Sequence, residues 1–246
     1  MSINAYTVFG FALVTALATG LGALPFLAFR RPTRTWLAMS NAIASGLMIA
    51  ASFVLIYEGL GAGLLRVVAG AIIGVLFMAL SSKALHERTD LELGRLRGTD
   101  ALKALMIVGV MTLHSVTEGV GVGVSFAGGE RLGLFITTAI AVHNIPEGLA
   151  ISLVLVPRGE PIWRAGWWSV FSSLPQPLLA VPAFIFVEAF RPFLPVGLGF
   201  AGGAMIWMVF SELIPEALED ASPSSVATMV TLSLMAMIGF QWLLRG

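Results

Sequence analysis

The chain is expected to be an all-α integral membrane protein of eight transmembrane helices, with its 246 residues forming a single transmembrane domain. Three observations carry that expectation. Hydrophobic residues make up 57% of the chain and charged residues 11%, against roughly 45–50% and 25% in soluble domains. Eight stretches reach the ~20 mostly apolar residues that span about 30 Å of hydrocarbon as a helix. No long polar tract remains to build a soluble domain.

The first stretch, 6–29, has no basic residue ahead of its apolar run and is followed by Arg30, Arg31 and Pro32. A cleaved signal peptide carries its positive charge first, so this stretch is expected to stay as a helix. Stretches 36–57 and 64–82 follow. The charged loop 83–100, expected to be partly helical and to leave His86 exposed, separates them from 101–126 and 132–156. The sixth, 163–187, carries Trp163, Trp167 and Trp168 as interfacial anchors and is interrupted by Pro175-Gln176-Pro177. Stretches 195–214 and 225–244 complete the set. Ten of the 14 Lys and Arg residues fall in or beside the turns after the first, third and fifth stretches. The positive-inside rule then places both termini outside the cytoplasm, in a multi-pass protein expected in the cell (inner) membrane. Net charge is zero; no nucleic-acid partner is expected, and membrane lipid is the surrounding medium. Cysteine is absent, which removes disulfides and thiolate metal ligands.

Two sequence elements recur. Gly46-x-Met48-Ile49-x-x-x-Phe53 in the second stretch and Gly203-x-Met205-Ile206-x-x-x-Phe210 in the seventh carry the same residues at the same offsets. Those two stretches run in opposite directions under the charge-derived topology, so the match predicts inverted three-helix repeats flanking central fourth and fifth helices. Secondary transporters are often built this way, with the substrate site at the repeat interface near the midplane.

The second recurrence is His114-Ser115-Val116-Thr117-Glu118-Gly119 and His143-Asn144-Ile145-Pro146-Glu147-Gly148. Ionisable side chains at bilayer depth are costly and usually face a bundle interior or an ion pathway. Residues four apart share a helix face, so each helix offers one imidazole and one carboxylate. At about 1.5 Å rise per residue, His114 and His143 both fall near the bilayer centre. The same count puts Gln176 and Glu212 at that level, bringing the fourth to seventh helices to one point. Two imidazoles and two carboxylates suit Zn²⁺, Fe²⁺, Mn²⁺ and similar ions. Two Glu charges also neutralise a dication that is otherwise costly to bury. His114, Glu118, His143 and Glu147 are therefore the expected metal ligands.

Pro146 cannot donate to the carbonyl of Val142 and is expected to open its helix at the site. Thr117 occupies the matching place in the fourth helix, where its hydroxyl loosens the turn more mildly. Gly119, Gly121 and Gly123 give that helix a small-residue surface for close packing. Gln176 reads equally as an ion contact and as a partner for broken-helix carbonyls. Glu212, well inside the seventh stretch, is expected to be functional. Glu216, Glu219 and Asp220 form either a solvated helix end or an acidic exit for cations, and Glu58 carries the same two readings at the outer side.

On the 143–148 motif, the looser 114–119 motif 29 residues earlier, and Ser211-Glu212-Leu213-Ile214-Pro215-Glu216, the chain resembles the Zrt/Irt-like (ZIP) family of divalent metal transporters. The likeness covers essentially the full length, including the helix count, outside termini and the basic loop after the third helix. It implies movement of Zn²⁺ or a related cation toward the cytoplasm, a primary site at His114, Glu118, His143 and Glu147, and a homodimer. Many members hold a second metal with the residue after each motif histidine and a glutamate in the sixth helix. Here those places are Ser115, Asn144 and Gln176, so a second dication finds little compensating charge. The histidine-rich cytoplasmic loop of many members is also missing.

The leading expectation is transport of a divalent cation, zinc first, as cargo and with no cofactor. An intramembrane metal-dependent hydrolase that activates water with the same ligands is the alternative. It lacks a His-Glu-x-x-His motif and a separate general base, and four protein ligands leave it no open position. A structural subunit with merely hydrogen-bonded pairs is the third reading.

Overall fold

The computed structural model describes residues 3–28, 33–86 and 99–245, with side chains over 3–28, 33–84 and 108–243. Loop residues 87–98 and the side chain of His86 lie outside them. Eight helical spans follow one another: α1 (Ala5–Ala28), α2 (Arg34–Leu60), α3 (Leu64–His86), α4 (Thr99–Gly128), α5 (Glu130–Leu155), α6 (Ile162–Ala189), α7 (Arg191–Asp220) and α8 (Pro223–Arg245). No strand occurs among the described residues. Among the described residues, seven of these spans are long and apolar enough to cross a membrane on composition alone. At 30 residues α4 reaches about 45 Å, long enough to cross as well. The chain is a multi-pass, all-α membrane protein.

Local chemistry sets the element ends. Asn4 accepts a hydrogen bond from the Thr7 amide at 3.0 Å and caps α1. Gly129, at φ +144°, turns α4 directly into α5. Few residues with a side chain adopt that backbone, and a one-residue turn forces the two helices into an antiparallel pair. As Pro175-Gln176-Pro177 foretells, α6 is broken: one helix ends at Ser172 and the next begins at Pro175.

Two expectations are corrected here. Helical geometry in α5 runs unbroken through Pro146, from Glu130 to Leu155. The proline removes one backbone hydrogen bond, and the packed bundle around the helix holds its course. The seventh span does not stop at residue 214 but passes through a π-helical turn, Val209–Leu213, and on to Asp220.

Packing follows a twofold pattern. Exchange α1 with α6, α2 with α7, α3 with α8 and α4 with α5, and each main helix contact maps onto another. Thus α3 on α7 becomes α8 on α2, α4 on α6 becomes α5 on α1, and α4 on α7 becomes α5 on α2. The repeated glycines lie at equivalent crossings. A Cβ on Gly46 would meet the Val230 carbonyl of α8 at 2.2 Å, and one on Gly203 would meet the Ala71 carbonyl of α3 at 2.5 Å. Met48 and Met205 are fully buried, while Phe53 and Phe210 are 61% and 60% exposed on the outer surface. Equivalent residues thus have equivalent surroundings, as inverted repeats require. Small residues let backbones approach where lipid supplies no hydrophobic drive between helices.

Candidate metal centre

The α4–α5 hairpin sets the two motifs side by side halfway along the bundle. Each motif ends in a glycine that admits a neighbouring backbone. A Cβ on Gly119 would lie 2.7 Å from the Gln176 carbonyl of α6, and one on Gly148 would lie 1.7 Å from the Thr19 carbonyl of α1. Gly123 meets the Ala180 carbonyl one turn further on, and Gly121 faces Ala201 of α7. The expected small-residue surface of α4 is real, and its partners are α6 and α7.

His114, Glu118, His143 and Glu147 are all buried, and one nitrogen or oxygen from each lies within 4.8 Å of all the others. His114 Nε2 is 3.2 Å from Glu118 Oε1 and 3.0 Å from Glu147 Oε1. His143 Nε2 is 2.5 Å from Glu118 Oε1 and 3.9 Å from Glu147 Oε1. Ligands about 2.0–2.2 Å from a tetrahedral Zn²⁺ sit roughly 3.3–3.6 Å from one another; the separations of 3.0 to 3.9 Å bracket that value, and the His143–Glu118 pair, hydrogen-bonded at 2.5 Å, must part to admit the ion. His114 Nε2 and Glu147 Oε1 approach closely yet make no hydrogen bond. Thr117 Oγ1 donates to the His114 carbonyl at 2.7 Å, the mild loosening its place suggests.

A second group of polar side chains adjoins this one. Gln176 Nε2 donates to Glu118 Oε2 at 2.6 Å. Asn144 Nδ2 donates to the Thr15 carbonyl at 2.9 Å and to Gln176 Oε1 at 3.2 Å. Thr15 Oγ1 lies 2.5 Å from Gln176 Oε1 and 2.7 Å from the Ala12 carbonyl. Ser115 Oγ and Asn144 Oδ1 are buried without a partner among the described residues.

Glu212 is elsewhere, which corrects the expectation that it joins the centre. It accepts from Ser82 Oγ at 2.8 Å, while Glu216 accepts from Asn41 Nδ2 at 3.0 Å. Because α7 runs 30 residues from Arg191 to Asp220, its middle falls near Met205. Glu212 lies about 10 Å beyond it. The fourth helix at the centre is therefore α1, through Thr15, and not α7. A signal for this was present, since Thr15 and Thr19 stand four apart in an apolar helix and mark one polar face. Thr19 Oγ1 meets Ser173 Oγ at 2.8 Å, at the break in α6.

Comparison with known proteins agrees with this architecture. A family model described as ZIP Zinc transporter matches residues 79–244. A putative zinc transporter of Arabidopsis thaliana is 49% identical over 238 residues, covering 96% of this chain and 38% of the relative. Zinc transporter GufA of Myxococcus xanthus is 34% identical over 220 residues, covering 84% of this chain and 86% of its own. Zinc transporter ZIPB of Bordetella bronchiseptica is 39% identical over 256 residues, covering 94% and 77%. The chain thus spans under half of the plant relative and most of the two bacterial ones.

Proposed function

We propose, from the premise that this chain belongs to the ZIP zinc transporter family, that it moves a divalent cation, zinc first, toward the cytoplasm through His114, Glu118, His143 and Glu147. Family membership makes it a transporter rather than an enzyme and retires the hydrolase alternative. One observation supports the site best: His114 Nε2 and Glu147 Oε1 stand 3.0 Å apart in a buried centre without bonding each other. Leaving buried polar atoms unsatisfied costs about 1–3 kcal/mol each. A single dication among the four side chains satisfies them together, and the two carboxylates balance its charge. Imidazole and carboxylate without thiolate hold such an ion loosely enough to release it.

Occupancy is one ion per chain in this reading, because Ser115, Asn144 and Gln176 bring no charge to a neighbouring position. Ser115 and Asn144 act as pathway residues beside the primary ligands, Gln176 as a partner of Glu118. Glu212 is a pathway residue, and Glu216, Glu219 and Asp220 form an acidic exit at the cytoplasmic end. Both termini lie outside, in the cell membrane, and the protein works as a single transmembrane domain that pairs into a homodimer. The test is ⁶⁵Zn uptake in cells lacking their own zinc uptake systems. His143→Ala combined with Glu147→Ala is expected to reduce uptake to background; unchanged uptake overturns the site. Stoichiometric Cd²⁺ binding by the purified protein separates this reading from a purely structural subunit.

A further inference from the structure

Hydrogen-bond logic fixes the orientation of every amide beside the centre. A main-chain carbonyl only accepts, so the Asn144 atom 2.9 Å from the Thr15 carbonyl is its NH₂. That NH₂ also lies 3.2 Å from one polar atom of the Gln176 side chain, which must be the oxygen. The Gln176 atom facing Glu118 at 2.6 Å is therefore its NH₂. With the Gln176 oxygen so placed, Thr15 Oγ1, 2.5 Å from it, shares its one proton between that oxygen and the Ala12 carbonyl at 2.7 Å. Glu118 is thereby divided: Oε2 is taken by Gln176, and Oε1 is presented to both imidazoles, 3.2 Å from His114 and 2.5 Å from His143.

We propose that Thr15 is a positioning residue for ion binding, acting through Asn144 and Gln176 to hold Glu118 Oε1 toward the two histidines. This rests on the metal reading of the centre given above. Thr15 touches none of the four proposed ligands; its carbonyl and hydroxyl set the amides, and the amides set the carboxylate. Partners that orient metal ligands from behind typically change affinity 10–100-fold when removed. Thr15 acts at one further remove, so the lower end of that range is expected.

The experiment measures Zn²⁺ and ¹⁰⁹Cd²⁺ affinity and stoichiometry on the purified full chain, unmodified and with Thr15→Val or Thr15→Ser. Valine keeps the shape and loses the hydroxyl; serine keeps the hydroxyl and loses a methyl. Thr15→Val is expected to weaken binding about tenfold at unchanged stoichiometry, and Thr15→Ser to remain within about twofold of the parent. Wild-type affinity in the valine variant, or an equal loss in both, overturns the assignment. If the valine variant does not fold, Gln176→Met takes its place, with a loss of about tenfold or more expected and an unchanged affinity again overturning it. A parent chain that binds neither ion overturns the metal reading itself, a result distinct from failure of the Thr15 assignment alone.

Discussion

The centre of the bundle holds two glutamates and the far end of α7 three, in quite different company. At the end, Glu212 accepts from the Ser82 hydroxyl and Glu216 from the Asn41 amide, and both are only half-buried. At the centre, Glu118 and Glu147 are buried with two imidazoles whose nitrogens crowd the same oxygens. A hydroxyl or amide satisfies a single carboxylate locally. At the centre His143 Nε2 and Glu118 Oε1 hydrogen-bond each other, but His114 Nε2 and Glu147 Oε1 are left without a hydrogen bond, and a dication placed among the four satisfies all of them. Convergence of unsatisfied atoms, and not the number of carboxylates, marks where an ion binds.

The largest effect that sharpens this contrast comes from the ligands. His143→Ala with Glu147→Ala is expected to lower Cd²⁺ affinity at least about 100-fold, since changes behind the ligands alone cost 10–100-fold. Titration of the purified variant checks this. Next, Gln176→Glu replaces the donor facing Glu118 with a carboxylate. Bound Zn²⁺ measured by elemental analysis is then expected to rise from about one towards about two ions per chain, because the added carboxylate offsets part of the charge of a second dication bound beside Glu118.

Geometry around the centre predicts a stability effect. Gly148→Ala sets a methyl in the space of the Thr19 carbonyl, 1.7 Å away. It is expected to destabilise by about 1–3 kcal/mol or more. Gly10→Ala, with nothing within 4 Å, is expected to be neutral. Thermal unfolding in detergent compares the two.

Acid acts on the centre in a stated direction. Metal-bound imidazole must be neutral and carboxylate ionised, so protons compete with the ion. Affinity is expected to fall as the pH is lowered from about 7.5 to about 5.5. A flat titration contradicts direct coordination. The smallest effect belongs to the end of α7. Glu212→Gln with Glu216→Gln is expected to leave equilibrium affinity within about threefold, because neither carboxylate joins the four converging side chains and solvent partly screens half-exposed charges. A loss there equal to the ligand loss erases the contrast.

Much of this was legible in the sequence, for physical reasons. Spacing of four puts each His and Glu on one helix face, and a polar pair deep in an apolar run has nowhere to go but inward. The glycines of α4, and the Gly46 and Gly203 elements, announced close backbone approach at matching crossings. Thr15 was hidden because a threonine in an apolar helix commonly bonds its own backbone, as Thr15 also does with Ala12. Glu212 does not reach the centre because both the apolar run 195–214 and the full span Arg191–Asp220 have their middle near Met205, about two helical turns before it. Pro146 signalled an opening that tertiary packing against α1 overrides, with Gly148 seated on the Thr19 carbonyl.

The most direct test of the centre is a crystal of the full chain soaked in Zn²⁺ and measured by anomalous scattering at the zinc edge. The expected result is a single peak about 2.0–2.2 Å from nitrogens of His114 and His143 and oxygens of Glu118 and Glu147. A peak beside Glu212 and Glu216 with none among those four side chains contradicts the account.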